Sequence, residues 1–493
     1  MVRRMAQKPS NEPDAVRRRL LAALASTAML SACGGSGSDD NSGTVTPTSP
    51  IGNIPPDRAN LPRPALPAPA TSGIDHIVLV TMENRSFDHM LGWVPGVEGV
   101  QAGRQFTDAF GETHPTFSLS ANAAFGFQSC QFADPDHEYD AGRTHLANGA
   151  MNGFLLTPDT NKTRGDLLPI GYFTGSDLDF YRQAVTQYTV CDYYMSGILS
   201  DTFPNRVYLH SGETDRVSDT LDTSSLSTIW DRLDAKNVSS KYYFHDVPFT
   251  ALYGTRYVGR SKLFSDFLSD AAGGNLPSFC MVDPSFGGEA NGTSNDDHPH
   301  ADVRNGQALL AQIYEALRTS PNWSTTLMIV VYDEWGGFFE HVAPPVRSLS
   351  SAEQKLGNDG RLGFRVPCML LGPRVRANNV ARYPFDPSSI HQLLAWRFGL
   401  DPLGVRGSDP TTFNMAYALD LSDAPRTDAP ALTVAQGPFG LACSNTPSTG
   451  SGLGTVDKSQ TAKAAEGASQ TPTPGGRFAD LRAKATALGF PSR

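Results

Sequence analysis

Between residues 73 and 443, short apolar runs alternate with longer segments in which apolar residues recur at helical spacing. The runs at 75–82, 187–192, 241–245, 279–282, 326–332 and 365–371 are rich in Val, Ile, Leu, Tyr and Phe and predict strands. Segments 177–187, 225–235, 302–319 and 387–398 predict helices. In 302–319, Leu309, Leu310, Ile313, Tyr314 and Leu317 share one face, and Pro321 stops the helix. In 387–398, Asp386 is an N-cap candidate and Pro387 suits the first turn. Strands alternating with helices predict an α/β three-layer sandwich with a mostly parallel central sheet. The stretch 97–175 has weak periodicity and many Gly, Asn and Asp residues, and predicts a long loop insertion over one end of the sheet.

The flanks read differently. Arg17-Arg18-Arg19 precedes an apolar run at 20–30 and then Ser31-Ala32-Cys33-Gly34-Gly35, the layout of an export signal. Leu30-Ser31-Ala32-Cys33 resembles a bacterial lipobox, in which Cys33 is acylated; the arginine run also admits twin-arginine export. The expected organisation is a signal peptide with its lipobox cysteine over 1–33, a disordered Pro/Ser/Gly-rich tether over 34–72, one folded body over 73–443, and a low-complexity tail over 444–493. The tail ends in a possible helix over 477–488, too brief to be stable alone. These features predict export to the bacterial periplasm or cell surface, with the membrane contacted through an N-terminal lipid anchor only. No later apolar stretch approaches the ~18 residues of a membrane span.

A formal net charge of −10 argues against a nucleic-acid partner. Apart from Cys33, Cys130, Cys191, Cys280, Cys368 and Cys443 show no CxxC spacing, so a thiolate zinc site is not expected. Cys191, Cys280 and Cys368 fall in predicted strands and read as buried hydrophobes; disulfide pairing stays open.

Two strands end in oxygen-bearing pairs, Glu83-Asn84 and Asp333-Glu334. Ligands collect at the carboxyl ends of parallel strands, so adjacency would place three carboxylates and an amide together. Such carboxylates raise one another's pKa unless a cation sits among them. Oxygen donors suit one divalent ion, Ca²⁺, Mg²⁺ or Mn²⁺, and zinc accepts them too. In Thr202-Phe203-Pro204-Asn205-Arg206, Pro204 lies just inside a helix start and Gly212 just past its end. Thr202 then sits at a helix N-terminus, which favours an anion; a hydroxyl beside a metal there can become a nucleophile, although a plain N-cap is the simpler role. Arg206 can clamp a phosphate or make an ordinary salt bridge. His137, His298, His300 and His341 lie in polar loops, where histidines can contact phosphate oxygens or protonate a leaving group. Asp88 and His89 read as structural.

Glu83-Asn84-Arg85-Ser86-Phe87-Asp88-His89-Met90-Leu91-Gly92 resembles the opening signature of the bacterial phosphoesterase family that contains secreted phospholipases C and a group of acid phosphatases. Thr202-Phe203-Pro204-Asn205-Arg206, His298-Pro299-His300-Ala301-Asp302-Val303-Arg304 and the long block Tyr332-Asp333-Glu334-Trp335-Gly336-Gly337-Phe338-Phe339-Glu340-His341 follow in family order. The resemblance covers about 73–400. It implies an alkaline-phosphatase-like fold and a metal on Glu83, Asn84, Asp333, Glu334 and the nucleophile oxygen of Thr202. It also implies phosphate contacts from His137, His298 and His341. The expected activity is metal-dependent hydrolysis of a phosphate ester through a phosphothreonine, either of the phospholipase C type on a diester such as a phospholipid or of the acid phosphatase type on a monoester. Three departures stand out: Trp335 where the family often has histidine, Phe203 for a common aspartate and His300 for a common proline. A non-catalytic surface lipoprotein binding an anionic ligand is the alternative. A sulfatase is disfavoured, because no Cys-x-Pro-x-Arg run occurs at the nucleophile position.

Overall fold

The computed structural model describes residues 56–122, 125–158, 165–289, 292–443 and 476–492. The expected export signal and lipobox, and most of the two low-complexity tracts, lie outside these residues.

Eight strands form the central sheet: β1 His76–Met82, β2 Thr189–Cys191, β3 Ser240–Phe244, β4 Ser261–Leu263, β5 Phe279–Val282, β6 Thr326–Tyr332, β7 Cys368–Leu371 and β8 Asn379–Ala381. Their order is β8-β2-β7-β6-β1-β5-β3-β4. β1 pairs in parallel with β6 from His76↔Thr326 to Met82↔Tyr332, and with β5 on its other side. That register brings Glu83 and Asp333 out of the sheet side by side. Both strands are buried nearly throughout, which explains their continuous Val/Ile/Leu character: each face is covered.

The sheet departs from an all-parallel pattern at β7, which runs antiparallel to both β6 and β2. The sequence marks β7 only as an apolar run, and such a run carries no direction. The three-residue strands β4 and β8 are too short to show a period of two.

Helices α1 Phe87–Leu91, α2 Tyr139–Leu146, α3 Asp179–Gln187, α4 Thr202–Ser211, α5 Ile229–Ala235, α6 Phe264–Ala272, α7 Val303–Arg318, α8 Pro387–Phe398 and α9 Arg477–Ala487 complete the framework. α3 and α6 pack on α7, and α5 and α8 pack on α4, so two helix groups flank the sheet. The caps follow the sequence: Asp302 accepts from the Arg304 amide and Asp386 from the Ser388 amide.

The N-terminal flank differs from expectation where it is described. Arg58 is buried and pairs with Asp192 at 3.3 Å and with Glu98. Trp396 donates to the Pro67 carbonyl, and Leu61 and Leu66 pack on the core. Residues 56–72 therefore belong to the body, tied down by a few side chains that composition outweighs. At the other end, the helix expected over 477–488 is present as α9 and buries Phe478, Leu481 and Ala485 against the body. A helix too short to persist alone is held by tertiary packing. Cys130 and Cys443 form a disulfide, joining the insertion to the end of the body, while Cys191, Cys280 and Cys368 are buried free thiols.

Candidate active site

The carboxyl ends of β5, β1 and β6 each carry an acid, Asp283, Glu83 and Asp333, and Arg206 of α4 is inserted among them. Its guanidinium lies 2.8 Å from Glu83, 3.0 Å from Asp283 and 3.0 Å from Asp333. The expected phosphate clamp is thus an internal counter-ion, with a side chain 2% exposed. Three adjacent strand ends converge their charges on that point, and burial without a cation would be costly. Asp283 was not singled out from sequence; its place after an apolar run is the signal that could have found it.

Just beyond, the donor set opens. Asn84 has a left-handed backbone, φ 57°, a conformation that Asn tolerates better than most residues. Its backbone N–H points to Asp333 Oδ1 at 3.3 Å, which also accepts from the Glu334 amide at 2.8 Å. The Asn84 amide nitrogen donates to His137 Nε2 at 3.2 Å, and His137 Nδ1 donates to the Pro135 carbonyl. Among the described residues, Asn84 Oδ1 is thereby left buried with no hydrogen-bond partner, as is Glu334 Oε1. Glu334 Oε2 accepts from the Gly336 amide at 2.6 Å. Gly336 and Gly337 both have positive φ, and close approach demands the missing side chains: a Cβ on Gly336 would lie 2.2 Å from Asn84 O, and one on Gly337 2.5 Å from Pro135 Cβ.

Thr202 opens α4. Its Oγ1 donates to Glu83 Oε2 at 3.2 Å, and Thr202, Glu83, Asn84 and Glu334 are all fully buried. The adjacent Phe203 amide is capped from a distance by Asp219 Oδ1 at 2.7 Å. Burial, with Asp333 close by, pushes the Glu83 and Glu334 carboxyls well above the usual range. Asp219 is pushed up to about 6 by burial, against the pull of Arg477. A divalent cation fits this set: two orphaned buried oxygens of the kind such ions bind lie beside acids that repel one another.

Two of the expected histidines join this cluster. Burial and the nearby Arg477 lower His137 to about 3, and His298 falls well below the usual histidine range for the same reasons. The two rings lie 5.9 Å apart. Ligand atoms of Asp134, His137 and His298 come within 4.8 Å of one another. His298 lies 3.6 Å from Asp134 and 3.5 Å from Glu289, and its Nε2 accepts from Arg477. His300 turns its Nε2 to the Phe132 carbonyl at 2.7 Å instead. His341 belongs to a second network: it lies 2.6 Å from Asp88 and 3.5 Å from Glu340, and Arg365 pairs with Glu340 at 2.7 Å. The structure does not bring His341 to Thr202.

The Phosphoesterase family model matches residues 74–401. The chain belongs to the phosphoesterase family. It is therefore a hydrolase of phosphate-ester bonds. Non-specific phospholipase C3 of Arabidopsis thaliana is 30% identical over 406 residues, covering 73% of this chain and 76% of that protein. Phospholipase C A of Mycobacterium tuberculosis (strain ATCC 25618 / H37Rv) is 27% identical over 424 residues, covering 73% and 80%. Among solved structures, a protein in the alkaline phosphatase superfamily from Vibrio parahaemolyticus matches 47% of this chain and 64% of its own, at 10% identity and a TM-score of 0.31. That overlap is too slight to carry weight.

Within this phosphoesterase the departures have local explanations. Trp335 is buried, donates to His145 Nδ1 at 3.2 Å and meets Phe364 edge-on, so it is a core residue rather than a ligand. Phe203 packs edge-on against Phe249 at 5.7 Å. Asp134 lies three residues before His137 in the same polar loop, whereas Glu289 and Asp219 lie in loops with no candidate site residue nearby. Arg477 follows a low-complexity tract and had no local signal at all.

Proposed function

We propose that this phosphoesterase hydrolyses phosphate esters with Thr202 as nucleophile, and that its substrates are phosphodiesters of the phospholipase C type. The observation that carries the reading is the Thr202 Oγ1 to Glu83 Oε2 hydrogen bond at the start of α4, beside the orphaned oxygens of Asn84 and Glu334. The relatives' names, phospholipases C in a plant and a bacterium, support the diester over the monoester.

Thr202 Oγ attacks phosphorus as its proton passes to Glu83 Oε2, the carboxylate oxygen that already accepts from it at 3.2 Å. The phosphorus–oxygen bond to the alcohol breaks, and the leaving oxygen takes a proton. Water then cleaves the phosphothreonine and returns the hydroxyl. The N-terminal end of the α4 dipole faces the developing negative charge, although the Phe203 N–H is held by Asp219 and Pro204 has none. His298 is held neutral by burial and Arg477, with Nδ1–H on the Pro299 carbonyl; the anionic phosphate of a bound diester offsets the cost of the imidazolium, so Nε2 can take up a proton from solvent and pass it to the leaving oxygen. Asn84, Glu334, Glu83 and Asp333 would hold one divalent cation, which supplies charge stabilisation to the phosphate oxygens and acidifies a neighbouring hydroxyl.

Paired assays on p-nitrophenyl phosphorylcholine and p-nitrophenyl phosphate test the reading. Turnover of the diester, abolished in Thr202→Ala, supports it. Turnover of the monoester alone turns the substrate class to the acid-phosphatase type. Bound phosphate without turnover of either ester points to a non-catalytic surface lipoprotein.

We also propose export with lipid attachment at Cys33, on the strength of Leu30-Ser31-Ala32-Cys33. Labelled palmitate incorporated by the parent and lost in Cys33→Ser checks this.

A further inference from the structure

We propose that Arg477, delivered by the C-terminal helix α9, is the substrate-binding cation of this site and pairs with the non-bridging oxygens of the bound phosphate. The proposal rests on the reading of a phosphate ester at Thr202.

Two arginines reach the cluster, and they differ in what their donors do. Arg206 directs Nε, Nη1 and Nη2 at three carboxylates, and its side chain is 2% exposed. Its Nη2 also reaches the Thr81 and Met82 carbonyls at 3.4 Å, so all three of its nitrogens are engaged by the protein's own acceptors. Arg477 makes one hydrogen bond among the described residues, from Nη2 to His298 Nε2. Its Nε is buried with no hydrogen bond among the described residues and makes only a loose ion pair with Asp219 at 3.6 Å. A guanidinium carries five N–H donors in a planar fork that matches two oxygens of a phosphate. Arg477 therefore keeps a nitrogen without a hydrogen bond among the described residues, whereas every nitrogen of Arg206 is engaged.

Position and charge agree. Asp219 caps the Phe203 amide next to Thr202, so Arg477 stands between the nucleophile's helix and His298. With a side chain 22% exposed, it lies at the rim, above a floor of fully buried groups. The other charged rim residues around it, Asp134, Glu289 and Asp219, are acids. An approaching phosphate anion is repelled by them and attracted by this guanidinium.

The helix is held well enough to position it. Phe478 stacks on Phe286 at 4.9 Å, and Phe286 in turn lies under Arg206 at 5.5 Å. Leu481 and Ala485 are buried, and Lys484 reaches the Leu221 carbonyl and Thr223 Oγ1. Rigid support of this kind is what a binding side chain needs. A chain ending at 443 would lack the residue entirely.

The test uses the full chain and compares wild type with Arg477→Met and Arg477→Lys. It measures kcat and KM on the diester, and Kd for inorganic phosphate by titration calorimetry with added divalent cation. In Arg477→Met, KM and the phosphate Kd should both rise about 10- to 100-fold, the size of a lost charge-assisted pair, with a smaller fall in kcat. Arg477→Lys should fall between, because it keeps the charge and loses the fork. If Arg477→Met does not fold, the lysine variant alone decides by the same two constants. Unchanged KM and Kd in a folded variant overturn the proposal and leave Arg477 a counter-ion. Activity above wild type also overturns it and makes the helix a block. Turnover by wild type with indifferent variants sinks this inference alone. Arg477-dependent phosphate binding without turnover sinks the hydrolytic reading alone.

Discussion

Thr202 Oγ1 and Glu83 Oε2 meet at 3.2 Å although 119 residues of chain separate them. The contact exists because β1 delivers Glu83 to the sheet edge and α4 starts there, with Arg206 one turn further along neutralising the same carboxylate at 2.8 Å. One acid thus serves the hydroxyl with one oxygen and the guanidinium with the other. That division of labour separates residues needed for chemistry from residues needed for folding.

Thr202→Ala should lower kcat by at least ~10³-fold, the scale of losing a key reacting or stabilising group. It removes one buried hydrogen bond, about 1 kcal/mol, so thermal denaturation should show a folded protein. Activity near wild type would end the nucleophile assignment.

Arg206→Met should behave in the opposite way. It strands Glu83, Asp283 and Asp333 without their cation, at a cost of about 3–5 kcal/mol. Glu334→Gln leaves that triad intact and should lose activity with little change in the urea midpoint. Equal destabilisation of the two variants would contradict the partition.

Gly336→Ala should impair both properties. The new Cβ has no room beside Asn84 O, and φ at this position is 62°. A loss of about 1–3 kcal/mol is expected, together with displacement of Asn84 and reduced turnover. Melting curves and kcat measured together check it.

Added divalent cation should raise Tm, and by more at pH 8 than at pH 5. Glu83 and Glu334 have raised folded pKa values from burial and from Asp333. Without a cation, their contribution to stability is full below the unfolded carboxylate pKa and is lost as pH rises through the folded one. At low pH the same protons compete with the ion. At a hundred times Kd the ion adds about 2.7 kcal/mol. A Tm shift independent of pH, or none, would remove the cation from these acids.

His341→Gln should reduce stability while leaving kcat within about 10-fold of wild type. Its partners are Asp88 and Glu340, held with Arg365, and not Thr202. A loss of kcat approaching that of Thr202→Ala would place it in the reaction.

Much of this was legible along the chain. The β1 and β6 runs, their acidic ends, the helix start at Thr202 and the glycines after Trp335 are local patterns, set by burial period and backbone geometry. The role of Arg206 was not legible, since a salt bridge and a phosphate clamp look alike until the partners are placed. Nor was the split between His137 and His298 on one side and His341 on the other, because all three sit in similar polar loops. Arg58 and Arg477 were hidden by their surroundings, where one anchoring side chain is outnumbered by prolines or small residues.

By itself, the order of residues determined the strands β1, β2, β3, β5, β6 and β7, the helices α3, α4, α5, α7 and α8, and the oxygen-bearing side chains at the ends of β1 and β6, for these depend on neighbours a few positions away. Only the tertiary structure decided which acids share Arg206, that β7 runs antiparallel, and that α9 returns to lay Arg477 beside His298. Those outcomes depend on charges and apolar faces hundreds of residues apart finding one another, and no local pattern records the partner.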